Sequence, residues 1–307
     1  MENNLNDIKN RDLIGMLGRV ALPIALQSLI GSSLNLIDNL MVGSLGELQL
    51  NAVGVAVQLF FIYWMLLYGF CGGAATFISQ FFGVKDFGSI RKTTGFTLTV
   101  AVGISLLFFI VAELFPHQIL RIFTRFPEVI DTGVDYVRIC APTFIMLAIT
   151  QPFTIALRAT QQTRLPLYAS VIALGTNTFL NYVFIFGKFG APAMGVAGAA
   201  LATAIARFIE MCLILYMVFG RKNVISGKIN EFFRYGKELA VKVIKNATPT
   251  ASNETLWGIG TSLYVAAFAR MGITEGAAIQ ACSTINNLFI LASFSIGDAI
   301  LILVGQK

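Results

Sequence analysis

The sequence predicts an all-α protein, a polytopic helical bundle in a membrane, and three observations carry that expectation. The mean hydropathy is +0.75, with 56% hydrophobic and only 12% charged residues, outside the range of soluble globular domains. Apolar runs near the length of a bilayer-crossing helix recur along the 307 residues. The 26 Phe and 28 Gly suit helices packed in lipid, where rings meet acyl chains and small residues let backbones approach.

Eight spans are expected, near 19–43, 52–82, 93–115, 134–157, 166–187, 195–219, 246–271 and 276–305. Residues 1–15 are polar and are expected on the membrane surface. The first span carries the stretch LPIALQSLIGSSLNLIDNLMVGSLG at 22–46, which is apolar throughout except on one face. Gln27, Gly31, Asn35 and Asp38 are spaced four, four and three apart and so share that face. An ionised carboxylate at membrane depth costs at least a few kcal/mol, so Asp38 is expected to face a polar cavity or a partner. The span reads as lining a pathway.

Two connections are long. Residues 116–133 form an outer loop with an interfacial helix. Residues 220–245 are basic, and Phe232, Phe233 and Tyr235 among the cations suggest an amphipathic surface helix. The chain begins to repeat after this second segment. A shift of 226 positions places Pro23 on Pro249, Gly46 on Gly272, Ala52 on Ala278 and Gln80 on Gln306. Six spans per unit keep both copies in one orientation, which makes the repeat parallel about an axis along the membrane normal. The expected organisation is an N-lobe at 1–219, a cytoplasmic linker at 220–245 and the start of a C-lobe at 246–307. The second copy is incomplete on this reading, and the chain corresponds to about two-thirds of a twelve-span protein.

The formal charge of +6 and pI near 9.2 are a topology signal and not a nucleic-acid footprint. With the N-terminus in the cytoplasm, sixteen Lys and Arg fall inside, from Lys9, Arg11 and Arg19 through Arg158 and Arg164 to Lys307. Only Arg121, Arg125, Lys188 and Arg270 fall outside. The four cysteines lie in apolar runs without ligand spacing, and His117 is the single histidine, which argues against disulfides and zinc. No HExxH, nucleophile elbow or deep lysine supports an enzyme.

Asn177 and Asn181 lie four apart in the fifth span and share a face. At 1.5 Å per residue, Asp38 lies roughly 27 Å and Asn181 roughly 22 Å from their inner ends, and Thr203 reaches a comparable depth. Together these oxygens fit a Na⁺ site, or a proton site if Asp38 titrates; the plainer reading of the asparagines is interhelical hydrogen bonding. Glu254 forms a second polar face with Gly258 and Thr261, flanked by Asn253, Trp257 and Tyr264. It matches Ser28 under the repeat while Asp38 matches Tyr264, so the two acids are not copies of one site. Arg207 and Glu210, three apart, are expected to neutralise each other. Arg138 pairs with Asp135 or snorkels outward. Asp298 carries no assigned role.

The stretches NLIDNLMVGSLG (35–46), SQFFGVKD (79–86), NTFLNYVFIFGKFGAPAMGVAGAALATAIA (177–206) and NETLWGIG (253–260) resemble the multidrug and toxic compound extrusion (MATE) family. The resemblance implies a MATE-like fold of two six-helix lobes around a cleft, monomeric at full length, in the inner (plasma) membrane with a cytoplasmic N-terminus. It implies export of cationic, amphipathic small molecules in exchange for Na⁺ or H⁺, with no other cofactor. By position, Asp38, Asn177 and Thr203 match the family's N-lobe ion site, and Glu254 matches the seventh-helix acid of NorM-like members. Asn181 stands where many relatives carry a second Asp, so this site has one fewer charge. Gln27, Asn35, Asn253, Trp257 and Tyr264 are the expected cleft-lining residues. The alternatives are a lipid-linked oligosaccharide flippase, which needs more cations than Arg138 and Arg207 within the spans, and a membrane enzyme or non-transporting subunit.

Overall fold

The computed structural model describes residues 10–220 and 223–305, with helix side chains described except at 10–21, 34, 284, 287–296, 299 and 303. Residues 1–9, the Arg221–Lys222 pair and the Gln306–Lys307 end lie outside the described residues, and with them the Gln80–Gln306 match.

Every expected span overlaps helix, the fourth in two pieces. In chain order these are α1 (Asn10–Gly43), α2 (Glu47–Gly83), α3 (Phe87–Leu114), the short α4 (Pro116–Phe123), α5 (Pro127–Cys140), α6 (Thr143–Ala159), α7 (Arg164–Phe186) and α8 (Val196–Leu215). A π-helical turn, Tyr216–Gly220, extends α8, and α9 (Ile229–Phe233), α10 (Lys237–Met271) and α11 (Ile273–Gly305) follow. Prolines open α4 and α5 at Pro116 and Pro127, where the missing N–H is an orphan in any case. The side chain of Asp86 caps α3 by accepting from the Ser89 backbone N–H at 3.0 Å.

The expected fourth span is broken: α5 and α6 are bent by 50° at Ala141–Pro142. Pro142 cannot donate to the ladder and restricts the residue before it, so the helix restarts there at a new angle. Taken by length and hydropathy, α2, α3, α7 and Val196–Gly220 are each able to cross a membrane, and the α5–α6 pair makes a fifth if it is one span. Helix α10 is 35 residues long but falls short on hydropathy because a polar run from Thr248 to Thr255 interrupts it. The first and eighth expected spans coincide with α1 and α11, 34 and 33 residues long.

Helix α2 is the centre of the bundle and packs on α3, α5, α6, α10 and α11. Its apolar anchor is Tyr63, fully buried, whose hydroxyl donates to the Phe144 carbonyl at 2.8 Å while its ring meets Phe144 and Phe108. The α2–α10 contact is different in kind. Gly69 and Gly73 lie directly against the backbone of Ala251 and Ala247, with no room for a Cβ at either glycine. The pairing Gly69 with Ala251 and Gly73 with Ala247 is an antiparallel crossing of two small-xxx-small stripes, in which backbone contact replaces side-chain interdigitation.

The segment at 220–245 is not one amphipathic surface helix. Phe232 of α9 is 2% exposed and packs on Phe153 and Phe219, and the Tyr235 hydroxyl bonds Thr99 at 3.1 Å. Only Phe233 of the three aromatics stands exposed. A 2.8 Å ion pair, Arg91 with Glu231, fixes α9 to α3. The buried aromatic and the ion pair hold the segment on the bundle, and α10 starts at Lys237, ahead of the span expected at 246.

Candidate functional site: two polar layers and a cavity

Helices α1, α7 and α8 meet along two polar layers. In the first, Asn181 donates through Nδ2 to Asp38 Oδ1, and also to Asn177 Oδ1 at 3.0 Å; Asn177 in turn donates to Thr203 Oγ1 at 3.2 Å. Both asparagines are fully buried. The four oxygen-bearing side chains expected to form an ion site are therefore brought into one hydrogen-bonded chain. The order follows from spacing, since Asn177 and Asn181 sit one turn apart on α7 and α1 and α8 flank that face.

The second layer repeats the arrangement deeper along the same helices. Gln27 Nε2 donates to Ser170 Oγ at 3.1 Å, and the Ser170 hydroxyl donates to Glu210 Oε1 at 3.1 Å. Glu210 Oε2 accepts from Arg207 at 2.8 Å, the expected i,i+3 pair. Along α1 and α7 both layers have the same offset, 143 residues from Gln27 to Ser170 and from Asp38 to Asn181. Two helices running side by side in the same direction keep such an offset constant. Helix α8 runs the other way, and Thr203–Asn177 and Glu210–Ser170 are each displaced by seven residues along both helices.

Asp38 lines a part-open cavity of about 140 Å³ between α1, α2, α5, α10 and α11. Helix α1 contributes Ser32, Asn35 and Asn39 beside Asp38, and α2 contributes Gln58 and Phe61. Tyr136 of α5 and Thr261 of α10 add hydroxyls, and α11 adds Gln280, Ser283 and Asn286. Among these linings Asp38 is the one charged residue; no Lys or Arg is among them. Gln280 donates to Asn39 at 3.2 Å across the cavity wall, and Ser262 donates to Gln58 at 3.0 Å beside it.

A monovalent cation fits the Asp38 layer. The Oδ1 of Asn181 is buried without a hydrogen-bond partner, an arrangement that costs about 1–3 kcal/mol and that a bound cation relieves. The donors are all hard oxygens with one carboxylate among them, suited to Na⁺ or a proton and not to a transition metal. Among the described residues no group of three His, Cys, Asp or Glu exists to hold a metal ion.

The other expected site residues separate. Asn35 lines the cavity. Gln27 does not: its carbonyl accepts from Arg158 Nε and Nη2 at 3.1 and 2.8 Å, and its amide is spent on Ser170. Glu254 lies outside the cavity lining; its charged neighbour is Asp298, and Asn253 is within hydrogen-bonding reach. Trp257 packs on Phe61 with centroids 6.1 Å apart, and Tyr264 stands 73% exposed. Helix α10 turns Thr261, Ser262 and Val265 toward α2 and the cavity, and at about 100° per residue Tyr264 falls off that face.

Arg158 and Asp298 acquire places that spacing did not suggest. Arg158, expected in an inner loop, is in the last turn of α6 with its side chain 12% exposed, paired at 3.3 Å with Asp298 of α11. The other Asp298 oxygen accepts from Tyr68 at 2.7 Å. The polar periodicity of α11 at Gln280, Ser283 and Asn286, three apart, was present in the sequence and marks the α11 face turned to the cavity.

Apolar helices closed around buried polar layers and a cavity with one carboxylate define a multi-pass membrane helical bundle. The chain belongs to the MatE family, whose model matches residues 23–183. The multidrug resistance protein NorM of Vibrio cholerae is 26% identical over 299 residues, covering 94% of this chain and 63% of that protein. NorM of Burkholderia vietnamiensis is 24% identical over 299 residues, covering 94% and 62%. A multidrug resistance MATE family transporter of the MOP superfamily, solved in an outward-facing conformation, superposes with a TM-score of 0.81 at 19% identity, covering 94% of this chain and 64% of its own. A MOP superfamily transporter from Pyrococcus furiosus, described as having a binding pocket of reverse polarity that suggests a different function, gives a TM-score of 0.80 at 19% identity, covering 92% and 62%. The chain thus spans a little under two thirds of the length of these relatives. The relatives are named as transporters or resistance proteins, not enzymes.

Proposed function

We propose that the chain works in a secondary antiporter that exports cationic, amphipathic compounds in exchange for Na⁺ or H⁺. The reading rests on one observation: among the described residues that line the cavity Asp38 is the one charge, and its hydrogen-bond donor is a neutral amide rather than an Arg or Lys. A cavity with net negative charge and amide and hydroxyl walls attracts a cation and repels an anionic headgroup. That charge balance favours drug export over a flippase handling pyrophosphate. The names of the NorM relatives point the same way.

In this mechanism α1–α8 form one lobe and α10–α11 begin the other, and the lobes rock about the cavity. Ion binding at Asp38, Asn177, Asn181 and Thr203 disfavours cation cargo nearby, and by linkage cargo weakens ion binding by the same factor. The asymmetry of basic residues supports a cytoplasmic α1 start, and a plasma-membrane location follows from the exporter reading itself.

Efflux of ethidium from cells expressing the protein tests the reading, with Na⁺ and pH gradients imposed separately. Asp38→Asn is expected to abolish gradient-driven efflux at unchanged membrane abundance. Wild-type efflux by this variant overturns the assignment.

A further inference from the structure

We infer that Arg158 and Asp298 form a latch holding α6 to α11 at the end of the bundle where α1 begins, and that Gln27 and Ser170 are positioning residues tying that latch to the Asp38 layer. The inference rests on the exchange reading, since a latch between lobes has a role only if the lobes move.

The two layers differ in charge. The Asp38 layer has one carboxylate and no bonded cation, whereas the deeper layer balances Arg158 and Arg207 against Asp298 and Glu210 in two ion pairs. Each carboxylate of this layer is already paired with a guanidinium, so its role is read from what it joins. Arg158 is the junction: one nitrogen holds Asp298 of α11, and two others hold Gln27 of α1. Tyr68 of α2 secures the remaining Asp298 oxygen. Charge-assisted hydrogen bonds of this kind are about twice as strong as neutral ones and demand fixed geometry.

The tie to Asp38 is a matter of register. Gln27 and Asp38 are eleven residues apart on α1, and Ser170 and Asn181 are eleven apart on α7, about 16 Å along each helix. Because both layers share one offset, a shift of α1 against α7 that alters the Asp38–Asn181 bond alters Gln27–Ser170 by the same displacement. Gln27 uses its carbonyl on Arg158 and its amide on Ser170, so it cannot follow such a shift while keeping both. Arg207 completes the link from the side, bonded to Glu210 and acting electrostatically on Asp38.

The test is a distance measurement on the 307-residue chain in lipid nanodiscs, without cargo or an ion gradient. Cys212 and Cys282 are replaced by Ser, and spin labels are placed at Arg164→Cys on α7 and Val304→Cys on α11, both exposed. Asp298→Asn is expected to raise the long-distance population about tenfold, the loss expected for a charge-assisted hydrogen bond. Tyr68→Phe, which removes only a hydroxyl, should move it in the same direction, and the exchange Arg158→Glu with Asp298→Arg should restore the short distance. Asp38→Asn should also shift the distribution, and adding Ser170→Ala should cancel that shift. An unchanged distribution in both Asp298→Asn and Tyr68→Phe overturns the latch, and an Asp38→Asn shift that survives Ser170→Ala overturns the tie. Neither readout depends on transport, so failure of the latch is distinguishable from failure of the exchange reading, which the efflux assay decides.

Discussion

Asp38 and Asp298 are both carboxylates in apolar helices, and what separates them is the partner each has bonded. Asp298 has a guanidinium and a phenol, while Asp38 has the amide of Asn181. Replacing Asn181 by Asp puts a second carboxylate beside a site that now holds one. Asn181→Asp is expected to tighten Na⁺ binding several-fold, as read by calorimetric titration of the purified protein. A second residue-scale case lies outside the spans. Asp86 accepts from the Ser89 hydroxyl and backbone N–H, which hold its carboxyl below the ordinary 3.8. A depressed carboxylate stabilises the fold above its unfolded value, and the contribution fades as pH falls through the lower folded value. Asp86→Ala should therefore cost about 1 kcal/mol near neutral pH, as for other N-caps, and less below pH 3.8. Thermal melting at two pH values reads both.

At the scale of elements, two close approaches carry the packing that side chains do not. Gly95 of α3 lies so near the Phe232 carbonyl of α9 that an added Cβ collides with backbone. Gly95→Ala gains helix propensity of roughly 1 kcal/mol, yet the overpacking cost of about 1–3 kcal/mol falls on backbone that has no rotamer to relieve it. A net lower melting temperature is expected, with faster proteolysis of the 220–236 segment as α9 lifts off. The α2–α10 stripe behaves alike. Ala247→Leu should separate the helices and destabilise the protein, whereas Leu256→Ala on the same helix, at a 69% exposed position, should leave its melting temperature nearly unchanged. The unequal response of the two α10 positions tests whether the stripe, and not α10 hydrophobicity, holds the contact.

Over the whole molecule, the helices align so that one end collects the starts of α1, α3, α7 and α10 and the ends of α2, α6, α8 and α11. Lys85 lies at that end and Lys188 at the other. With the N-terminus cytoplasmic, Lys85→Cys should resist and Lys188→Cys should accept a membrane-impermeant thiol reagent applied to intact cells, and the reverse pattern would invert the topology. The repeat expected from the sequence bears on this scale also. Moved by 226 residues, the bounds of α1 fall on 236–269, beside Lys237–Met271 of α10. Pro23 and Pro249 then occupy the same place inside their helices.

Helix positions and the Asp38, Asn177, Asn181 and Thr203 grouping were legible in the linear chain. Hydropathy reports where a helix crosses apolar surroundings, and a spacing of four or seven reports a shared face; both are local properties. The break at Pro142 has a local cause, the proline itself, but the apolar run continues through it and hydropathy alone reads one span. In the deeper layer the Arg207–Glu210 pair was legible from its spacing, but the links between helices were not. Gln27, Ser170, Arg158 and Asp298 belong to four helices, and which polar residue meets which depends on the offset at which those helices pack. Long-range packing sets that offset, and it decided that Gln27 bonds Arg158 instead of facing the cavity and that Glu254 lies outside the cavity lining. Asp38 thus followed from one helix read alone, while its counterpart at the other end of the bundle required the register between helices.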